Sequence, residues 1–187
     1  NSCLQYRLSG SIDGSRDRGG ASDLNKDFVF GDDFSFNLNF SEDTRVRIET
    51  TVGDENFART GNVIVDGTSL AISTAANNFQ TVTHTPSISD NYAVNIVGSD
   101  LTVTSIVVRN FIDDSIIARF DFGTSTSSVE SGYTRVTDTD TVFESKSISP
   151  QPQVSMVLMD QKTGYVKALV GGRGEKKMNL SLNRATD

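Results

Sequence analysis

Phe34, Phe36, Leu38 and Phe40 alternate with Ser35, Asn37 and Asn39. A period of two sends every apolar side chain to one face of an extended strand and every polar one to the other. Such a segment must lay one face on a core and leave the other in water. Val46, Ile48 and Val52 keep the same rhythm against Arg45, Arg47 and Glu49, and further β-rich runs lie at 62–65, 79–85, 92–97, 101–108 and 116–122. Turn chemistry separates them: Gly53-Asp54, Asp66-Gly67, Asn77-Asn78, Gly98-Ser99-Asp100 and Asp113-Asp114-Ser115. Sustained 3.6-residue stripes are missing, and one short helix is expected near 20–28, where Ser22 or Asp23 would cap it. Short strands at regular spacing with polar turns predict an all-β fold, an antiparallel β-sandwich.

A boundary is expected near residue 150. Pro150 and Pro152 bracket Gln151, and proline does not continue a central strand. Apolar runs follow at 154–159 and 165–170, joined by Asp160-Gln-Lys-Thr-Gly164. This reads as a hairpin whose glycine supplies a positive φ. Charge divides at the same place. Of 17 basic and 24 acidic residues, 6 and 3 fall in 150–187, leaving 11 and 21 in 1–149. The net −7 is thus a −10 module, 1–149, followed by a +3 hairpin segment, 150–187.

Composition removes several functions. One cysteine, Cys3, forbids an internal disulfide framework and a Cys-rich zinc site, and one histidine, His84, forbids a multi-histidine metal centre. The acidic balance argues against nucleic acid as a partner. No apolar run nears the roughly 18–20 residues that cross a bilayer, so no membrane partner is expected. The chain begins at Asn1 and not at methionine, as a processed or partial chain would.

The remaining candidates are few. His84 lies in Thr83-His-Thr-Pro86, read as an exposed turn, and no G-x-S-x-G elbow accompanies it. Gly53-Asp54 reads as a strand-ending turn. The adjacent pairs Asp32-Asp33, Asp54-Glu55 and Asp113-Asp114 point to opposite faces of a strand, so adjacency alone sets up no acid/base pair. No catalytic residue is assigned and no enzyme is expected. No cofactor is expected either, apart from a possible structural calcium in loops rich in Asp and Asn. Gly171-Gly-Arg-Gly174 lacks the spacing of a phosphate-binding loop. Arg16-Asp-Arg18 is open to two readings, a guanidinium fork for sugar hydroxyls or uronate carboxylates, or an Arg–Asp network pinning a long loop. With no tryptophan, stacking on a sugar face falls to Tyr6, Tyr92, Tyr133 and a few phenylalanines.

Two resemblances cover different parts of the chain. Arg119-Phe-Asp-Phe-Gly123 and Ser131-Gly-Tyr-Thr-Arg-Val-Thr137 resemble the opening of a malectin-like, galactose-binding-type β-sandwich. Ser15-Arg-Asp-Arg-Gly19, Asp27-Phe-Val-Phe30 and Thr51-Val-Gly-Asp54 resemble the middle of the same domain. Such domains accompany polysaccharide-active hydrolases, including pectin-deacetylating esterases. The family places the F-D-F-G strand first, whereas here it comes last, as in a circular permutation or two partial tandem modules. In a permutation, residues 112–115 join 106–111 to 116–122 as a hairpin.

This resemblance implies a jelly-roll or galactose-binding-like sandwich over about 10–143. It implies a non-catalytic carbohydrate-binding or accessory module, extracellular or at the cell surface, whose partner is a polysaccharide or cell-wall glycan. The ligand residues would be Arg16, Asp17, Arg18 and Tyr133. The alternative is a structural protein that self-associates through sheet edges, with the F-D-F-G strand adding to another chain's sheet. In the C-terminal segment, Met156-Val-Leu-Met-Asp160, Lys162-Thr-Gly-Tyr-Val-Lys-Ala-Leu-Val-Gly-Gly172 and Asn183-Arg-Ala-Thr186 resemble the start of the transpeptidase domain of bifunctional penicillin-binding proteins. The S-x-x-K, S-x-N and catalytic K-T-G elements of that domain are missing, so this segment implies an inactive fragment.

Overall fold

A computed structural model describes residues 3–18 and 24–147, together with the backbone of two strands, Met156–Met159 and Val166–Val170. The chain divides into two compact units, Asn1–Ile148 and Ser149–Asp187. In the first unit the strands are β1 (Cys3–Asp17), β2 (Asp27–Thr44), β3 (Val46–Asp54), β4 (Arg59–Val65), β5 (Thr68–Thr74), β6 (Asn78–His84), β7 (Ser89–Val103), β8 (Ser105–Asn110), β9 (Ile116–Phe122), β10 (Thr134–Val136) and β11 (Glu144–Ser147). They form a six-stranded sheet in the order β11-β1-β2-β7-β4-β5 and a five-stranded sheet in the order β10-β9-β8-β3-β6. Every pairing is antiparallel except β9 with β10.

The two sheets pack face to face as a β-sandwich. Phe34, Phe36, Leu38 and Phe40 are all buried, as their alternation requires. Phe36 of the larger sheet meets Phe120 and Phe122 of the smaller at ring centroid distances of 4.9 and 5.1 Å. Tyr6 joins them, 4.9 Å from Phe120, and Tyr92 is buried with its hydroxyl donating to the Thr44 carbonyl. Both tyrosines are therefore core residues, and neither is available as a sugar platform.

Three expectations need correction. The run 101–108 is two strands: it leaves the larger sheet after Val103 and enters the smaller at Ser105. Thr104 makes the crossing, donating to Thr51 O (3.0 Å) and accepting from Phe122 N (2.9 Å). The F-D-F-G strand is not an edge: β9 lies between β8 and β10, with Phe120 and Phe122 buried. The helix near 20–28 lies partly outside the described residues; where described, 24–26 form a turn and β2 begins at Asp27. The expected hairpin does join β8 to β9, and Asp66-Gly67 makes the two-residue turn between β4 and β5, with φ values of 49° and 72°.

The long strands β1, β2 and β7 all break register at one level. Asp13 is skipped between Ile12↔Gly31 and Gly14↔Phe30, Asp32 between Ser11↔Asp33 and Ile12↔Gly31, and residues 98–100 between Gly31↔Leu101 and Asp33↔Val97. Stacked bulges of this kind bend and twist a sheet. Only glycine fits at position 31, because a Cβ there would run into the Ser11 carbonyl oxygen. Beyond the bulges, the lower ends of these strands carry the site described next.

In the second unit, β12 (Met156–Met159) and β13 (Val166–Val170) pair antiparallel from Met156↔Val170, which makes the expected hairpin. The Lys162-Thr-Gly164 turn and Gly171-Gly-Arg-Gly174 lie outside the described residues.

Candidate ligand site

The site is built on a carboxylate that a strand end holds out of water. Asp54 closes β3 and its side chain is fully buried. Across the sandwich, Thr102 of β7 donates its hydroxyl to Gly53 O (2.7 Å) and accepts Gly53 N–H (3.3 Å), which fixes the end of β3. Asp54 accepts from Arg18 Nη2 at 3.2 and 3.0 Å, from Arg59 Nη2 at 2.6 Å and from Asn56 N–H at 2.8 Å. Burial pushes this carboxyl up, but the Asn56 N–H and the two guanidiniums outweigh it and hold it below the ordinary carboxylate range. Asp54 is thus a buried anchor, and the reading of Gly53-Asp54 as a plain turn is corrected.

The two guanidiniums are themselves covered by rings. Arg18 lies 5.3 Å from the Phe28 centroid and 5.5 Å from that of Phe57, and Arg59 lies 5.5 Å from Phe57. Phe57 remains 54% exposed, unusual for a phenylalanine and here supported from below by two desolvated cations. Arg16 lies 5.1 Å from the Phe30 ring. Arg16, Phe28, Phe30, Phe57, Arg59 and Asp100 line a pocket of about 160 Å³. That is below the roughly 300–1,000 Å³ of sites for drug-sized ligands, so it suits a single ring and not a long segment.

The four residues singled out in the sequence take different places. Arg16 is exposed at the pocket and, among the described residues, joins no ion pair. Arg18 stands behind the pocket and pins Asp54, so the fork reading suits Arg16 and the network reading suits Arg18. Asp17 faces Asp27 across β1 and β2 and shares a hydrogen bond with it. Tyr133, half-buried with Arg119 5.6 Å from its ring, does not line the pocket. Sequence reasoning missed Phe28, Phe30, Phe57, Arg59 and Asp100 as pocket residues. Phe57 did leave a signal: a lone aromatic amid Asp54-Glu-Asn and Ala58-Arg59, outside any alternating run.

Two other polar groups are buried nearby or at a distance. Asp27, buried at the start of β2, is raised to about 7: burial acts first, and the Asp17 and Asp121 carboxylates add to it against the Ser127 hydrogen bond. His84 is not an exposed turn residue; it ends β6, is 2% exposed, and donates from Nε2 to Thr68 O at 3.1 Å. Burial pushes its pKa down, partly offset by the Thr68 and Val63 carbonyls. At the bulge level, Asp13, Asp32 and Asp100 bring carboxylate oxygens within 4.8 Å of one another. All three are exposed, and Asp32 accepts Asp100 N–H at 3.0 Å, an arrangement that acidic bulges reach without an ion.

Comparison with known proteins adds one short likeness. Over 37 residues, 20% of this chain, the sequence is 57% identical to penicillin-binding protein 1A of Clostridium tetani. The chain spans about 5% of that relative's length. No known family profile matches the chain, and no solved structure does.

Proposed function

We propose that the sandwich is a non-catalytic carbohydrate-binding or accessory module of an extracellular or cell-surface protein, and that it takes one ring of a polysaccharide or cell-wall glycan at the Phe57 pocket. The observation that carries this reading is an exposed aromatic face held rigid by a buried Arg18–Asp54–Arg59 network, with the Arg16 guanidinium beside it. The CH-rich face of a pyranose packs on such a ring, and guanidinium and carboxylate groups such as Arg16 and Asp100 bond its hydroxyls. The malectin-like, galactose-binding-type motifs at 15–19, 27–30 and 51–54 support the same reading, because Arg16, Phe28 and Phe30 from them line the pocket and Arg18 and Asp54 support it. A small pocket with one aromatic platform gives weak binding, in the millimolar to micromolar range. Affinity electrophoresis through gels containing neutral and acidic polysaccharides tests it. Retardation of the wild-type chain that Phe57→Ala weakens is expected, and no retardation on any glycan would sink the idea.

The likeness to penicillin-binding protein 1A favours a second reading for the C-terminal unit alone: a fragment of that kind of protein without acylation chemistry. Incubation with a fluorescent penicillin should leave the chain unlabelled; a covalent adduct would overturn this.

A further inference from the structure

We infer that β5 is a guarded self-pairing edge, which Gln80 of β6 keeps closed and which a second copy of this chain occupies when the guard is removed. β5 ends the larger sheet and β6 ends the smaller. Natural edge strands are blunted by charges, prolines or bulges. β5 has none of these: Thr68-Ser-Leu-Ala-Ile-Ser-Thr74 holds no charge, no proline and no register break.

A side chain does the blunting here. The Gln80 carboxamide accepts Ser73 N–H on Oε1 (3.0 Å) and donates from Nε2 to Ala71 O (3.0 Å). These are the i and i+2 groups that a neighbouring antiparallel strand would take. His84 Nε2 also donates to Thr68 O at 3.1 Å, but Thr68 closes the turn opposite Val65, so its backbone faces β4 and not the open edge. One carboxamide therefore stands where a further strand would lie.

The occupant follows from the sequence of the edge itself. Thr-Ser-Leu-Ala-Ile-Ser-Thr reads the same in both directions about Ala71, with leucine exchanged for its isomer isoleucine. An antiparallel pair of β5 strands centred on Ala71 sets Thr68 against Thr74, Ser69 against Ser73 and Leu70 against Ile72. The exposed face stays small (Ser69, Ala71, Ser73), while half-buried Leu70 gains an apolar partner. A palindromic edge is self-complementary under a two-fold axis, which is what a closed dimer needs. The pairing is independent of the glycan pocket.

Light scattering and sedimentation equilibrium on the full chain test this. Gln80→Ala is expected to double the mass in a concentration-dependent way, where the wild type stays near 20.3 kDa. Adding Ala71→Lys, at an exposed position, sets two lysines against each other across the two-fold and is expected to restore the monomer. Gln80→Glu, which keeps an acceptor for Ser73 N–H and places a charge on the edge, is expected to stay monomeric. A monomeric Gln80→Ala at the highest concentration overturns the inference, and so does a dimer that survives Ala71→Lys. Loss of native circular dichroism in both Gln80 variants overturns it as well, since Gln80 would then be needed by the fold and not only by the edge.

Discussion

Asp54 and Asp27 are two buried carboxylates served by successive residues, Arg18 just after β1 and Asp17 at its end, and they end in opposite states. Arg18 reaches Asp54, whereas Asp17 faces Asp27. Burial acts on both in the same direction, disfavouring charge. At Asp54 two guanidiniums and a backbone N–H reverse it, and the group stays ionised. At Asp27 further carboxylates reinforce it, and the group titrates at about 7. The neighbours, not the depth, decide whether a buried aspartate is an anion or an acid. One strand end thus holds a permanent ionic anchor beside a proton-holding site.

The largest effect should come from breaking the anchor. Asp54→Asn leaves Arg18 and Arg59 uncompensated beneath Phe57, and truncating one side of a buried ion network costs roughly 3–5 kcal/mol. Urea unfolding at neutral pH should show this loss, and glycan retention should go with it. A loss below 1 kcal/mol would mean that the network is ornamental to the fold.

The next effect is a change of sign with pH. Because folding raises the Asp27 pKa, its contribution to stability is full below about 4, its ordinary range, and is lost as pH rises through about 7. His84 runs the other way. Burial lowers its pKa, so its contribution is present above about 6.5, its ordinary value, and is lost as pH falls below that. Between pH 4 and 6.5 the two slopes oppose each other. Asp27→Asn should remove the decline toward pH 7 and expose the His84 slope as a rise in melting temperature with pH. His84→Gln should do the reverse, leaving a decline from pH 4 to 7. If neither variant alters the slope of the melting temperature against pH, other groups govern the titration.

The smallest effect on stability should come from the ring above the anchor. Phe57→Ala removes an exposed side chain, so the unfolding free energy should move by no more than about 0.5 kcal/mol. Any glycan binding should nevertheless fall by the stacking contribution, about 0.5–1.5 kcal/mol. Calorimetry separates the two quantities. A large stability loss with binding intact would recast Phe57 as a lid for Arg18 and Arg59.

Much of the framework was legible because alternation is local. The Phe34–Leu38–Phe40 rhythm placed β2, and Asp66-Gly67 placed the tight turn between β4 and β5, since both depend only on neighbouring residues. The run 101–108 was misread because Thr104 carries no breaker: the chain changes sheet at a residue whose backbone simply finds new partners in Thr51 and Phe122. The pocket was half legible. Arg16 was found through the Arg-Asp-Arg cluster, but Asp54 and Arg59 belong to the site only because β3 ends and β4 begins beside Arg18, a contact across 36 residues in the Arg18–Asp54 pair.

The sequence by itself determined that this is a sandwich of half-buried strands, with an acidic module followed by a basic hairpin segment, because side-chain periodicity, turn residues and charge need no knowledge of what lies opposite. Only the tertiary structure decided that Asp54 is an anchor, that Asp27 is an acid, that His84 is interior and that a palindromic edge is closed by a glutamine. Each of these is a property of a pair or a cluster. Desolvation, ion pairing and hydrogen bonding at such a place depend on distances that no single strand contains.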